Sequence, residues 1–121
     1  MINKITAAID IGSYNCRMII VNNRPKIKIL KKISVATNLI KNLSYSNEFT
    51  HENIRKTVKC LTMFSRKMLE YNVTNYRCVA TEACRQVINS DFFTGEVKKT
   101  TGLYEKVFAR YVEWIYERFF R

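Results

Sequence analysis

Glycine, proline and histidine are scarce in this 121-residue chain, with three glycines, one proline and one histidine. Gly12, Gly95 and Gly102 lie far apart, so no glycine-rich phosphate loop can be built from neighbouring glycines. Pro25 presets one bend, and the remaining turns fall to asparagine and serine. His51 sits in the expected first turn of a helix and reads as a surface residue, not as half of a catalytic or metal pair. No C-x-x-C spacing joins Cys16, Cys60, Cys78 and Cys84, and three of them fall on apolar segments, so they read as reduced core thiols. No apolar run approaches the roughly 20 residues of a membrane span, and few apolar residues separate Lys4 from Asp10. The expectation is a cytoplasmic chain without secretory signal, in which the sequons at Asn42 and Asn72 carry no glycan. Acid is scarce too: ten Asp and Glu against 21 Lys and Arg leave a formal charge of +11. That charge suits phosphate chains, nucleotides, nucleic acid or acidic lipid, or is simply a solvated basic surface.

With 47% hydrophobic and 26% charged residues, the chain has an ordinary globular composition and length for one core. Its organising stretch is residues 5–21, ITAAIDIGSYNCRMIIV, two apolar β-type runs joined by a short polar turn. An acid at the tip of such a hairpin is costly to bury, which marks Asp10. Gly12 is expected to take positive φ and let backbone N–H groups near Ser13 converge on an anion, with the Ser13 hydroxyl as a further donor. Asp10 would fix a hydrated divalent cation bridging to phosphate. The alternative is a plain hairpin turn.

A third strand is expected over 26–33, with Ile27, Ile29 and Ile33 on its buried face, completing an antiparallel meander. Residues 36–49 read as a loop. Thr50 caps a helix running to about residue 71, with Ile54, Val58, Leu61 and Met68 inward and Arg55, Lys56, Lys59, Arg66 and Lys67 outward. Residues 76–80 form a buried strand that feeds the helix opening at Thr81, Glu82 and Arg85. A strand end meeting a helix amino terminus favours an anion, and Arg85 is either a bidentate phosphate grip or an ordinary exposed arginine. Ser90 or Asp91 caps a further helix through Phe92, Phe93 and Val97 that stops before Gly102. Seven of the fifteen aromatics then crowd into residues 104–121. Leu103, Val107, Tyr111, Ile115 and Phe119 have the spacing of a packing helix. Aromatics mixed with Arg110, Arg118 and Arg121 also suit a membrane surface or nucleic acid.

Two of these stretches jointly resemble one family. AAIDIGSYNCRMIIV is similar to the first phosphate motif of the exopolyphosphatase and guanosine pentaphosphate phosphohydrolase (Ppx/GppA) family of the actin-like ATPase superfamily. YRCVATEACRQVINSDFF followed by VKKTTGL resembles its next signature, in the right order and separation. The resemblance implies an α/β, ribonuclease H-like lobe: a three-strand antiparallel meander extended by a further strand, packed with helices and incomplete. It implies phosphate binding by Asp10, Gly12, Ser13, Arg17, Thr81, Glu82 and Arg85, with Mg2+ at Asp10 and polyphosphate or guanosine pentaphosphate as substrate. Members hydrolyse a terminal phosphoanhydride, chemistry that needs positioning and charge neutralisation above all.

Several positions depart from the pattern. Tyr14 and Asn15 stand where asparagine and serine are usual, and residues 37–43 lack the glycines of the R-L-G-x-G-L motif. The glutamate-bearing segment expected after T-G-L is not matched by YEKVFARYVEWIYERFFR, so no catalytic residue is assigned. The expectation is an amino-terminal lobe over 1–102, a divergent helical tail over 103–121, and a truncated phosphohydrolase that is inactive or only binds phosphate. An exposed lobe face would favour self-association. The rival reading is a small basic module that binds nucleic acid or protein.

Overall fold

The computed structural model describes residues 5–23, 26–43, 47–80, 87 and 89–101. Four strands and two long helices follow in the order β1 (Ile5–Ile11), β2 (Asn15–Asn22), β3 (Lys28–Ala36), α1 (His51–Glu70), β4 (Asn75–Ala80) and α2 (Ser90–Thr101). The sheet order is β3-β2-β1-β4. β1 pairs antiparallel with β2 and β2 with β3, the expected meander, while β4 returns through α1 to lie parallel to β1. The mixed sheet with its helices is the α/β lobe anticipated from the sequence.

β1 and β2 read as nearly continuous apolar runs because both of their faces are covered. On one face Ala7, Ile9, Ile11, Cys16, Met18 and Ile20 join Leu61 and Phe64 of α1 and Phe93 and Val97 of α2 in the main core. On the other face Thr6, Ala8, Ile19 and Val21 are also fully buried. β4 is less buried than the sequence suggests. It is the outer strand of the described sheet, and Cys78 is its buried residue.

β3 corrects a second expectation. The register passes from Ile20 opposite Lys31 to Val21 opposite Ile29, so Leu30 is the extra residue of a β-bulge. Side chains on either side of a bulge change face. Ile33 and Val35 pack on the core with Leu30, whereas Ile27 and Ile29 are 39% and 47% exposed. The strand also runs to Ala36, three residues beyond the expected end.

α1 starts and stops as its residues dictate. Thr50 is the N-cap, its hydroxyl accepting from the Asn53 N–H at 3.1 Å. At the other end Asn72 takes φ 58°, with Val73 N–H donating to Met68 and Asn72 N–H to Leu69. This is the paired-bond helix ending usually given to glycine, here carried by asparagine. All four non-glycine residues at positive φ among the described residues are asparagines, Asn38, Asn42, Asn47 and Asn72, in keeping with the chain's poverty in glycine. Thr74 then bonds the Ile5 carbonyl through both its N–H and its hydroxyl, which sets β4 beside β1.

α2 begins one residue earlier than expected. Asn89 precedes its first turn and accepts from the Phe93 N–H at 3.0 Å. The Asn89 side chain, instead of capping its own helix, clasps the Phe49 backbone, accepting from its N–H at 2.8 Å and donating to its carbonyl at 3.2 Å. Phe49 meets Phe93 edge to face at 5.5 Å. The loop is thereby fastened to the start of α2. No helix among the described residues is long and apolar enough to cross a membrane. The expected helical tail over 103–121 lies outside the described residues.

Phe64 is wholly buried between sheet and helices, so Phe64→Ala should cost about 3–5 kcal/mol. Thr50→Ala should cost about 1 kcal/mol through its lost cap bond. Urea denaturation checks both. A loss under about 1 kcal/mol for Phe64→Ala would contradict the packing described.

Candidate phosphate-binding turn

Asp10 lies one residue before the end of β1 and is only 10% exposed at its side chain. The strand needs an apolar residue there on packing grounds, and the carboxylate is tolerated because it is paired. Arg17 is its register partner across the hairpin. The guanidinium grips a single carboxylate oxygen, Oδ2, from Nη2 at 2.5 Å and from Nε at 3.2 Å. Arg17 keeps 41% of its side chain exposed, so the pair spans from interior to solvent. Its energy falls between the small value of surface pairs and the larger cost of orphaning a buried charge.

The turn itself is Gly12 to Asn15, closed by a Gly12 N–H bond to the Asn15 carbonyl at 2.9 Å. Gly12 is required, though for a reason other than the one expected. Its φ lies outside the left-handed region, and a Cβ there would stand 2.7 Å from the Asn15 carbonyl oxygen. Glycine is demanded by the close approach of the two strands, not by a positive φ. The turn's carbonyls are all directed inward: Tyr14 accepts from the Thr37 and Asn38 N–H groups at 2.9 Å, and Ser13 accepts from Ile40 at 3.2 Å. Among the described residues, the Ser13 and Tyr14 N–H groups and the Ser13 hydroxyl make no hydrogen bond. The turn thus spends its acceptors on the fold and keeps donors in reserve, the polarity an anion needs.

The supporting segment 37–40 falls in the stretch that stands in place of the R-L-G-x-G-L motif without its glycines. Its one sequence signal is Asn38, which takes φ 51° and so lets two consecutive N–H groups, of Thr37 and Asn38, reach one carbonyl. Thr37 and Leu39 are buried beneath it.

Strand register brings the end of β4, which precedes the second predicted cluster, beside the first. Ala80, the last residue of β4, is the partner of Ile11, and Val79 of Asp10. The chain therefore leaves β4 beside the Gly12 turn, at the carboxyl ends of two adjacent parallel strands, where α/β sheets receive ligands. Thr81, Glu82 and Arg85 themselves lie outside the described residues.

The donor chemistry of the turn bears on Mg2+. Among the described residues no group of three His, Cys, Asp or Glu side chains is placed to cage a metal. Asp10 offers hard carboxylate oxygen, which suits an ion held mostly by water and by a ligand's phosphates. The residues fit Mg2+ in that shared form.

Comparison with known proteins gives the family and the fold. The model of the Ppx/GppA phosphatase family matches residues 18–110, starting just after Arg17 and extending past Gly102. A guanosine-5'-triphosphate,3'-diphosphate pyrophosphatase of Photobacterium profundum is 29% identical over 102 residues, 84% of this chain and 20% of that protein. The crystal structure of the Aquifex aeolicus Ppx/GppA family member superposes with a TM-score of 0.82 at 28% identity, covering 90% of this chain and 36% of that one. An exopolyphosphatase from Cytophaga hutchinsonii shares the fold, with a TM-score of 0.78 at 20% identity over 84% of this chain and 33% of that one. The chain thus spans about a fifth of the length of the first curated relative and about a third of the solved structures.

Gly12→Ala forces a Cβ into the Asn15 carbonyl and should cost about 1–3 kcal/mol as the hairpin end opens. Arg17→Ala should cost about as much by leaving Asp10 without its donor. Combining Arg17→Ala with Asp10→Ala should recover part of that loss in a thermodynamic cycle. Strict additivity of the two would refute the pairing.

Proposed function

Because the chain belongs to the Ppx/GppA phosphatase family, we propose that it is the phosphate-gripping amino-terminal lobe of an exopolyphosphatase-like phosphohydrolase. The ligand of this lobe is the terminal phosphoanhydride of polyphosphate or of guanosine pentaphosphate. The observation that carries the reading is the buried Asp10, held by Arg17 and adjoining a turn whose N–H donors are unspent.

Each residue then has a task. The Ser13 N–H and hydroxyl and the Tyr14 N–H donate to phosphate oxygens, with the turn held rigid from below by Thr37, Asn38 and Ile40. Rigidity matters because phosphoryl transfer is promoted chiefly by positioning. Arg17 carries positive charge to the same place and orients the Asp10 carboxylate. Mg2+, when held by Asp10 and the ligand's own oxygens, supplies charge neutralisation. Thr81, Glu82 and Arg85, which follow the end of β4 in sequence, would complete the grip from that side. No residue of this chain is given the task of activating water, so the lobe binds the phosphate chain without cutting it. The overall charge of +11 raises the local concentration of such a polyanion.

Titration of the purified chain with polyphosphate should show Mg2+-dependent binding that Asp10→Ala weakens about tenfold or more, at least ~1.4 kcal/mol. Phosphate release should stay at background in the same samples. Binding indifferent to both Mg2+ and Asp10→Ala would overturn the reading, as would turnover by the wild-type chain that the substitution abolishes.

A further inference from the structure

One pair of nucleophilic side chains has no part in the phosphate turn. Cys16, the second residue of β2, and Cys60, in the middle of α1, are buried free thiols on the sheet side and the helix side of the core. Both belong to the one core cluster between sheet and helices. Cys16 also lies 3.6 Å from the Thr37 hydroxyl. Cys60 and Thr37 line a cavity of about 350 Å³ between the end of β3 and α1, together with Val35, Met63, Lys56 and Lys59. The remaining described thiol, Cys78, is buried on β4 and does not line this cavity.

We propose that Cys60 and Cys16 form an oxidisable dithiol, in which Cys60 is the entry thiol for a small anionic disulfide admitted through the lysine-edged cavity and Cys16 is the resolving thiol. The chemistry closes without a further reactant. The Cys60 thiolate attacks one sulfur of the disulfide RS–SR, forming Cys60–S–SR and expelling RS⁻. Cys16 loses its proton and attacks Cys60 Sγ, forming the Cys16–Cys60 bond and expelling the second RS⁻. RS–SR is reduced to two RSH, the two departing thiolates taking up the two thiol protons.

The division of roles follows from where the two groups sit. Lys56 and Lys59 project along the cavity that Cys60 lines, and both favour an anionic reagent and a thiolate there. Cys16 is on the interior side, where Asp10 disfavours its ionisation. The direct contact with Cys60, followed by burial, drives the Cys16 thiol far up, and the same contact draws Cys60 down. Once Cys60 has become a mixed disulfide, the contact that chiefly suppresses Cys16 is gone, leaving it placed to resolve. The bond formed would tie α1 to β2 directly beside Arg17.

The test uses the reduced full chain and oxidised glutathione, with peptide mapping by mass spectrometry. The expected product is an internal Cys16–Cys60 disulfide with loss of two titratable thiols. Cys16→Ser should arrest at a glutathione adduct on Cys60, and Cys60→Ser should leave Cys16 unmodified. The cationic disulfide cystamine should react more slowly than oxidised glutathione, and this order should level out at high salt. Mapping of the wild-type chain needs no variant to fold. Adducts confined to other cysteines, or a Cys60 that stays reduced while they react, would overturn the proposal, and so would capture of Cys16 in preference to Cys60 in the wild-type chain.

Discussion

A carboxylate at the end of a central strand is tolerated in this fold because a guanidinium one strand away satisfies it. Asp10 and Arg17 are register partners, so their meeting needs only the β1–β2 hairpin to close correctly. Closure in turn depends on Gly12, whose missing side chain leaves room for the Asn15 carbonyl. A charge that would otherwise be expelled from a dry sheet is kept at one place, and the chain is shaped around it.

The support beneath that turn comes from far along the sequence. Residues 37–40 donate to the carbonyls of Ser13 and Tyr14, and the same loop is tied to α1 by the Asn53 amide, 2.6 Å from the Lys41 carbonyl. At its far end it is clasped by Asn89 and meets Phe93 edge to face. The loop acts as a strap from the phosphate turn to both helices, with asparagines at φ 51° and 57° making the bends that glycine would usually make. Glycine is replaceable in these turns because asparagine tolerates the left-handed region, but not at position 12, where the demand is for space.

The two proposed chemistries fall on opposite faces of one strand. Arg17 points to the face that holds Asp10, and Cys16, its neighbour, points to the core, since successive side chains of a strand alternate. A bond formed at Cys16 would therefore act on the backbone that positions Arg17 without entering the phosphate turn.

Sequence by itself determined the types and order of the described strands and helices. The apolar runs around Asp10, the Thr50 cap and the breaks at Asn72 and Gly12 are local facts, set by side-chain size, hydrogen bonding and solvation within a few residues. The resemblance to one family likewise needed no coordinates, and the family match over residues 18–110, which takes in ATEACR, upholds the family. Tertiary structure alone decided which face of β3 is buried, because Leu30 bulges only in relation to the register of β2. It decided as well that Gly12 serves close approach, that Asn89 serves Phe49, and that Ala80 ends beside Ile11. Apart from the Gly12–Asn15 approach, which is set within the hairpin turn, each of these is a relation between residues distant along the chain, fixed by loop closure and packing, which no local pattern of polarity encodes.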